Sequence, residues 1–342
     1  MLSPKKFVTL TKYRPLLYGH LSNRFMTKRQ TFEIIKCHGS ANDFIMIDVA
    51  RDEWLQGVDW SAFARVACNR ESGIGSDGLL LVVRNEEGIY GMDMLNPDGT
   101  HAEMCGNGIR CVARLAYERG YLDSGILFSS NRLFRIGRET ALAEGIDTFS
   151  VEIGIDLKSS SFGFAKDSEP HIAKKIETLD SNLRFTALNL GNPHIVAEVE
   201  EVDMELLEAL GERVKTLKQE FPDGINVSLY ECRSEQELFV ATYERGAGIT
   251  MSCGTAMTAS ATAAALLGRT TMGERIDVKN RGGKVFCTTN IIDGKPVTKL
   301  AGNATFVWWG SASFENGTLS YNIERMGDEQ QRWSEFVASL NR

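Results

Sequence analysis

The chain has 342 residues, 43% of them hydrophobic and 24% charged, with a formal net charge of -7. That is enough apolar material for one large domain or two, and the acidic balance lacks the basic patch that a nucleic-acid surface needs. No apolar run approaches the roughly 18 residues of a membrane-spanning helix, and seven irregularly spaced cysteines make no disulfide framework. A cytoplasmic, reducing setting with no membrane and no nucleic-acid partner is therefore expected.

Residues 1–30 are basic, contain no Asp or Glu and lack the apolar centre of a secretory signal. They fit a transit peptide, or an upstream start codon with Met26 opening the functional chain; the second, simpler reading is the expectation, and the segment is set aside as an extension. From Thr31 the pattern changes. "TFEIIKC" and "DFIMIDV" read as strands around the polar break "HGSAN". "WSAFARVACNRES" reads as a helix, "LLLVV" as a buried strand, and "IYGMDMLN" as a half-buried strand ending in the turn "NPDGT". A helix beginning at "CGNG" then runs to Gly120, followed by the strands "ILFSS" and "FSVEIGI".

The second half repeats this order. The strand "FTALNLG" ends in "NPH", and "MELLEALGERVKTLKQEF" has apolar residues near the helical period. "GINVSLYEC" and "LFVATYE" read as strands, and a second helix begins at "SCGTA" and stops at Gly268. "RIDVKN", "KVFCTTN" and "TFVWWGSASF" follow as strands, and the last residues read as an added strand and a polar helix. Two α/β domains of similar design, dividing near Ser150, are the expectation.

Each half thus places a Cys-Gly pair at a helix mouth, Cys105-Gly106 and Cys253-Gly254. A helix N-terminus favours negative charge, lowers a thiol pKa and can hold a carboxylate on its free N–H groups. Two such mouths facing each other would grip one carboxylate and set a sulfur on either face of the neighbouring carbon. That suits racemisation or epimerisation without a cofactor, one thiolate removing the proton and the other thiol returning one to the opposite face. Cys68, Cys111, Cys232 and Cys287 read instead as small buried hydrophobes. The adjacent Cys37-His38 chelates poorly, "CGNGIRC" lacks the tight pairs of a zinc site, and a redox pair of Cys105 with Cys253 lacks Cys-x-x-Cys spacing. No metal is expected. His101 sits near Cys105 and could serve as a base, but reads as a solvated turn histidine; His20 and His171 carry no signal.

"MLNPDGTHAEMCGNGIRCVAR" and "YERGAGITMSCGTA", with "KCHGSANDFIMID", "GIGSDGLLLV", "NLGNPHIV" and "FPDGINVSLYE", resemble in order the signature segments of the diaminopimelate epimerase family, over roughly Phe32 to Trp309. The resemblance implies an α+β fold of two similar α/β domains, each a mixed sheet wrapped around a central helix, with the site in the cleft between them. It implies domains at 31–149 plus about 303–320 and at 150–302, with 321–342 a C-terminal extension. It implies interconversion of LL- and meso-diaminopimelate without pyridoxal phosphate or any other cofactor, for lysine or peptidoglycan synthesis, and it allows a homodimer. Cys105 and Cys253 match the acid/base thiols, and His194 and Glu244 the catalytic groups that support them. Gly106 with Asn107 and Gly254 with Thr255 match the carboxylate-binding helix mouths. Asn42, Asn96, Asn192, Asn226 and Glu244 match substrate-binding positions, and Arg245 the grip on the distal carboxylate.

That grip has its own logic. Diaminopimelate carries an amino acid group at each end, and an arginine reads a carboxylate through paired hydrogen bonds. Three positions depart from the family pattern: Gly78 where many members have glutamine, Ala256 where glycine is usual, and "SSNRLF" without its usual glycine. The alternatives carried forward are a related racemase of another amino acid, such as histidine, and an inactive paralogue that only binds.

Overall fold

The computed structural model describes residues 31–102, 104–122, 125–158, 162–164 and 169–340; the basic leader and Met26 lie outside them. The first half runs β1 (Phe32–Gly39), β2 (Asn42–Asp48), α1 (Trp60–Ala67), β3 (Gly78–Arg84), β4 (Tyr90–Leu95), α2 (Gly106–Glu118), β5 (Ile126–Ser129), β6 (Arg132–Glu139) and β7 (Thr148–Gly154). The second runs β8 (Phe185–Asn189), β9 (Pro193–Glu198), α3 (Met204–Thr216), β10 (Asn226–Ser234), β11 (Glu237–Glu244), the short β12 (Gly248–Ile249), α4 (Gly254–Leu266), β13 (Arg275–Asn280), β14 (Gly283–Ile292) and β15 (Lys295–Asn303). β16 (Thr305–Glu315), β17 (Thr318–Met326) and α5 (Glu329–Leu340) close the chain.

The duplication expected from element order is written in the strand pairing. Neighbours β1–β2, β2–β3, β3–β4, β4–β5 and β5–β6 pair antiparallel, parallel, antiparallel, parallel and antiparallel. The series β8–β9, β9–β10, β10–β11, β11–β13 and β13–β14 repeats that sequence of senses. A helix bridges each parallel pair, as a parallel connection requires. β6 passes from one half to the other: Arg132 to Arg135 pair with β5, and Ile136 to Glu139 with β7. β7 in turn pairs along its length with β15, and β1 with β16. Ser150, where the halves were expected to divide, lies within β7 opposite Ala301.

Each half wraps a buried helix. Every residue of α2 from Gly106 to Ala116 is buried, and so is every residue of α4 from Gly254 to Ala265. A helix without a polar face belongs inside, and the run of Ala, Thr, Ser and Gly in α4 lets strands approach from all sides. Two of its hydroxyls are satisfied locally, Thr258 and Thr262 each donating to the carbonyl four residues earlier at 2.8 Å. The outer helices differ. α1 and α3 start at Asp59 and Asp203, whose carboxylates accept from first-turn N–H groups at 2.9 Å. Both helices end before the sequence patterns do, at Ala67 and Thr216. β6, β9, β12 and β15 were not read as strands.

The C-terminal helix ties the halves together. Glu329 accepts from both terminal nitrogens of Arg114 on α2 and from the Phe306 N–H at 3.1 Å. Trp333, 3% exposed, packs on Gly283 of β14, where a Cβ would come within 2.7 Å of the indole. It packs with Leu142, Ile146, Phe286 and Ala301. Trp333→Ala should therefore cost about 3–5 kcal/mol, the usual loss for a buried large aromatic. Urea unfolding measures it; a loss below about 1 kcal/mol would mean that α5 is not part of the core.

Candidate active site

Cys105 and Cys253 occupy the same structural position in the two halves. Each immediately precedes a buried helix in extended conformation, with φ/ψ of -127/107 and -125/109. That geometry turns the side chain back over the first turn, whose N–H groups have no intrahelical partner. The Gly108 N–H donates to Cys105 Sγ at 3.3 Å. The two helix mouths meet. A Cβ built on Gly106 would lie 4.0 Å from the Gly254 carbonyl carbon, and one on Gly254 only 2.9 Å from Asn107 Oδ1. Glycine at both places lets the backbones come this close.

The β1–β2 hairpin brings Asn42 to Cys105. Its two turn residues, Ser40 and Ala41, have φ of 53 and 64, the geometry of a tight hairpin that normally selects Asn or Gly. Neither residue relieves that strain, so the turn is held from outside. Ser40 N–H donates to Asn303 Oδ1 at 2.7 Å and Ala41 N–H to His38 Nδ1 at 3.3 Å. Asn42 Oδ1 then accepts from Cys105 Sγ at 3.7 Å and from Asn107 Nδ2 at 3.3 Å. Its Nδ2 donates to Asp77 at 2.8 Å, and Arg70 bridges Asp77 and Asp43 at 2.7 Å each. Sequence reasoning missed Asp77, which fixes the direction of the Asn42 amide; the one signal was its place in the quoted "GIGSDG".

A second network surrounds Cys253. Its Sγ lies 3.4 Å from Thr255 Oγ1, which accepts from Asn192 Nδ2 at 3.1 Å. His194 Nε2 lies 3.1 Å from both Asn192 Oδ1 and Thr255 Oγ1, and 3.3 Å from Asn226 Nδ2. His194 and Asn226 face each other in register across β9 and β10. Asn226 Oδ1 accepts the Arg245 N–H at 2.8 Å, and Glu244 accepts from Thr250 Oγ1 at 2.6 Å. Thr250 is a further supporting residue that the sequence reading did not find.

Burial decides the proton affinities. It pushes the Cys105 thiol up to about 11, against the pull of the Gly108 and Asn107 N–H groups. It raises Cys253 well above the ordinary thiol range, and the neighbouring Glu244 adds to the rise. The lowering expected from the helix ends is present but outweighed, because desolvation of a thiolate costs more than partial charges return. Burial also raises Glu244, opposed by hydrogen bonds from Thr250 and Cys253. His194 is held down to about 3 by burial and by the charge of Arg245, so its imidazole is neutral at neutral pH. Among the described residues, no group of three or more His, Cys, Asp or Glu is arranged to hold a metal ion.

Asn96 stands apart from these networks, and Arg245 joins them through its backbone N–H. Asn96 turns its amide onto Thr100 Oγ1 at 3.0 Å within its own turn. Arg245 is exposed, donates from Nη1 to the Asp223 carbonyl at 2.8 Å, and packs its stem over Gly224. The departures also have physical readings. A Cβ on Gly78 would come within 2.9 Å of the Leu95 carbonyl oxygen and of Met94 Cε, so a side chain there needs a different neighbour. A Cβ on Gly108 would meet Leu80 at 2.8 Å, so the contrast with Ala256 concerns packing against the sheet. In "SSNRLF", Ser130 and Asn131 take φ of 46 and 62, and Asn tolerates this turn in place of glycine. Cys68, Cys111 and Cys287 are buried and Cys232 half-buried.

The close approach of the helix mouths generates a direct test. Gly254→Ala should leave circular dichroism and the melting temperature near those of the parent while lowering turnover by roughly 100-fold, the effect of about 1 Å misplacement in a reacting constellation. Parental turnover in a folded Gly254→Ala protein would show that the spacing is not needed.

The sequence profile of the family described as diaminopimelate epimerase matches residues 34–129 and 186–307. A diaminopimelate epimerase of Listeria innocua is 35% identical over 322 residues, covering 91% of this chain and 97% of that protein. One from Clostridium acetobutylicum is 34% identical, covering 84% and 92%. Among solved structures, a hydroxyproline epimerase from Agrobacterium vitis aligns with a TM-score of 0.58 at 14% identity, covering 85% of this chain and 95% of that one. A phenazine biosynthesis protein of the PhzF family from Bacillus anthracis aligns with the same TM-score at 15% identity, covering 82% and 99%. These two likenesses concern the fold. With the family profile and full-length relatives both matching, this chain belongs to the diaminopimelate epimerase family.

Proposed function

We propose that this chain interconverts LL- and meso-diaminopimelate by proton transfer between Cys105 and Cys253 across one α-carbon. The observation that carries the reading is the meeting of two buried helices, each opened by a Cys-Gly pair in matching backbone geometry. The first turns of both helices meet at one locus, and N–H groups without intrahelical partners suit a carboxylate there. A carbon bonded to that carboxylate then lies between the sulfurs.

In the forward step one sulfur, as thiolate, takes the α-proton: an S–H bond forms, a C–H bond breaks, and the electron pair spreads into the bound carboxylate. The helix N–H groups oppose that growing charge without having to reorganise. The second thiol then gives its proton to the opposite face and becomes the thiolate. Configuration inverts, and no other reactant is consumed.

Burial makes both thiols hold their protons tightly. Glu244 is the proposed first acceptor for Cys253, because the carboxylate neighbours the thiol closely enough to raise its proton affinity, and burial raises the carboxylate's own. Neutral His194, joined to Thr255 and Asn192, orients that side of the site. Arg245, with Asn42, Asn96, Asn192 and Asn226, reads the distal amino acid group.

The test is NMR of the α-protons in D₂O, with reduced protein and a panel holding LL-diaminopimelate and L-histidine. Diaminopimelate should exchange and invert while histidine stays unchanged. Cys105→Ala and Cys253→Ala should each lower inversion by about 10²–10⁴-fold, the usual worth of a positioned acid or base. Exchange of histidine instead would overturn the substrate, and near-parental turnover in either mutant would overturn the two-thiol mechanism.

A further inference from the structure

Arg110, one turn into α2 behind Cys105, is a fully buried cation whose hydrogen bonds all go to neutral acceptors. Its Nη1 donates to the Gly106 carbonyl at 2.9 Å, and Nε to the Asn303 carbonyl at 3.3 Å. Its Nη2 donates to Asn107 Oδ1 at 3.0 Å and Ser40 Oγ at 3.2 Å. Two strands strip themselves of side chains to admit it. A Cβ on Gly39 of β1 or on Gly302 of β15 would come within 2.9 Å of Nη2.

The neighbouring arginines are treated differently. Arg114, one turn further along α2, pairs with Glu118 and Glu329. Arg119, at the end of the helix, pairs with Asp48 and Glu33. The fold therefore supplies carboxylates to two of the three arginines and none, among the described residues, to the one beside the helix mouth. A buried charge left without a partner is costly, yet the closest side-chain oxygen, Asn107 Oδ1 at 3.0 Å, belongs to an amide whose Nδ2 is spent on Asn42 Oδ1 and not to a carboxylate.

We infer that Arg110 is a fixed counter-charge for the anionic groups that the reaction brings to the mouth of α2, and that the same contacts position Asn42 through the strained Ser40–Ala41 turn. The inference rests on the two-thiol reading of the site. The helix dipole and the guanidinium add in sign at this point. The ionisable groups around Arg110 are Cys105 and Cys111 on α2, Cys287 on β14 and His38 on β1. Burial holds His38 down to about 4, so it adds no charge at neutral pH. Facing Cys105 from β11 is Glu244. A substrate carboxylate or a Cys105 thiolate is the anion that Arg110 otherwise lacks. Arg110 is thus a positioning residue, acting through the helix mouth and Cys105.

The experiment follows alkylation of Cys105 by iodoacetamide in the substrate-free full-length protein, with peptide mass spectrometry, between about pH 7 and pH 10. Arg110→Gln should slow the reaction on the order of tenfold at each pH, equivalent to one unit in the thiol pKa. Arg110→Lys, which keeps the charge but not the fork, should hold the alkylation rate within about twofold of the parent, and turnover should fall. A folded Arg110→Gln protein with the parental rate would overturn the inference. Asn107→Asp decides the matter if Arg110→Gln does not fold. Supplying the missing carboxylate should slow Cys105 alkylation, and a parental or faster rate would overturn the counter-charge. None of these readouts except turnover needs a substrate, so they can fail while the D₂O exchange experiment succeeds, and the reverse.

Discussion

Two helix N-termini face each other in the interior of this protein, and the rest of the structure is organised around that meeting. Positive helix ends repel, and so does a buried guanidinium behind one of them. The approach is tolerated because both first residues are glycines, because the strands of each half press their own helix inward, and because the locus suits an anion. On this account the fold stores an unmet demand for negative charge at the place where the reaction develops it.

The architecture follows from that constraint. Each helix must be covered on all sides, so each half curls its strands around one. The halves must also keep their helix mouths in register. β6 runs through both, β7 joins β15, and α5 clamps Arg114 through Glu329 while seating Trp333 on Gly283. The strained hairpin before Asn42 is secured from Asn303 and Arg110, residues far away in the chain. Strain of this kind persists only where surrounding contacts over-determine it.

Much of this was legible in the sequence because it is local. A Cys-Gly pair ahead of a run of small residues marks a buried helix mouth, and two of them in similar settings reveal the duplication although the halves share little identity. What was not legible is tertiary. β15, "KPVTKLAGN", is polar and opens with a Pro position, so nothing local marks a strand; its partners β7 and β14 make it one. The net direction of the thiol shift is hidden for the same reason. The helix end can be read from the residues, but the burial that outweighs it exists only in the folded protein. Nothing local distinguishes Arg110 from Arg114 in the same helix, and its acceptors at Ser40 and Asn303 are brought to it by folding.

The central claim is that Cys105 and Cys253 serve one carbon. A trivalent arsenical, which bridges two thiols only when both can reach one arsenic atom, tests it on the reduced native protein with peptide mass spectrometry. The account predicts one bridged adduct joining Cys105 and Cys253, and its loss after unfolding and dilution. Singly modified Cys105 and Cys253 with no bridge between them, or a bridge between other cysteines, would contradict it.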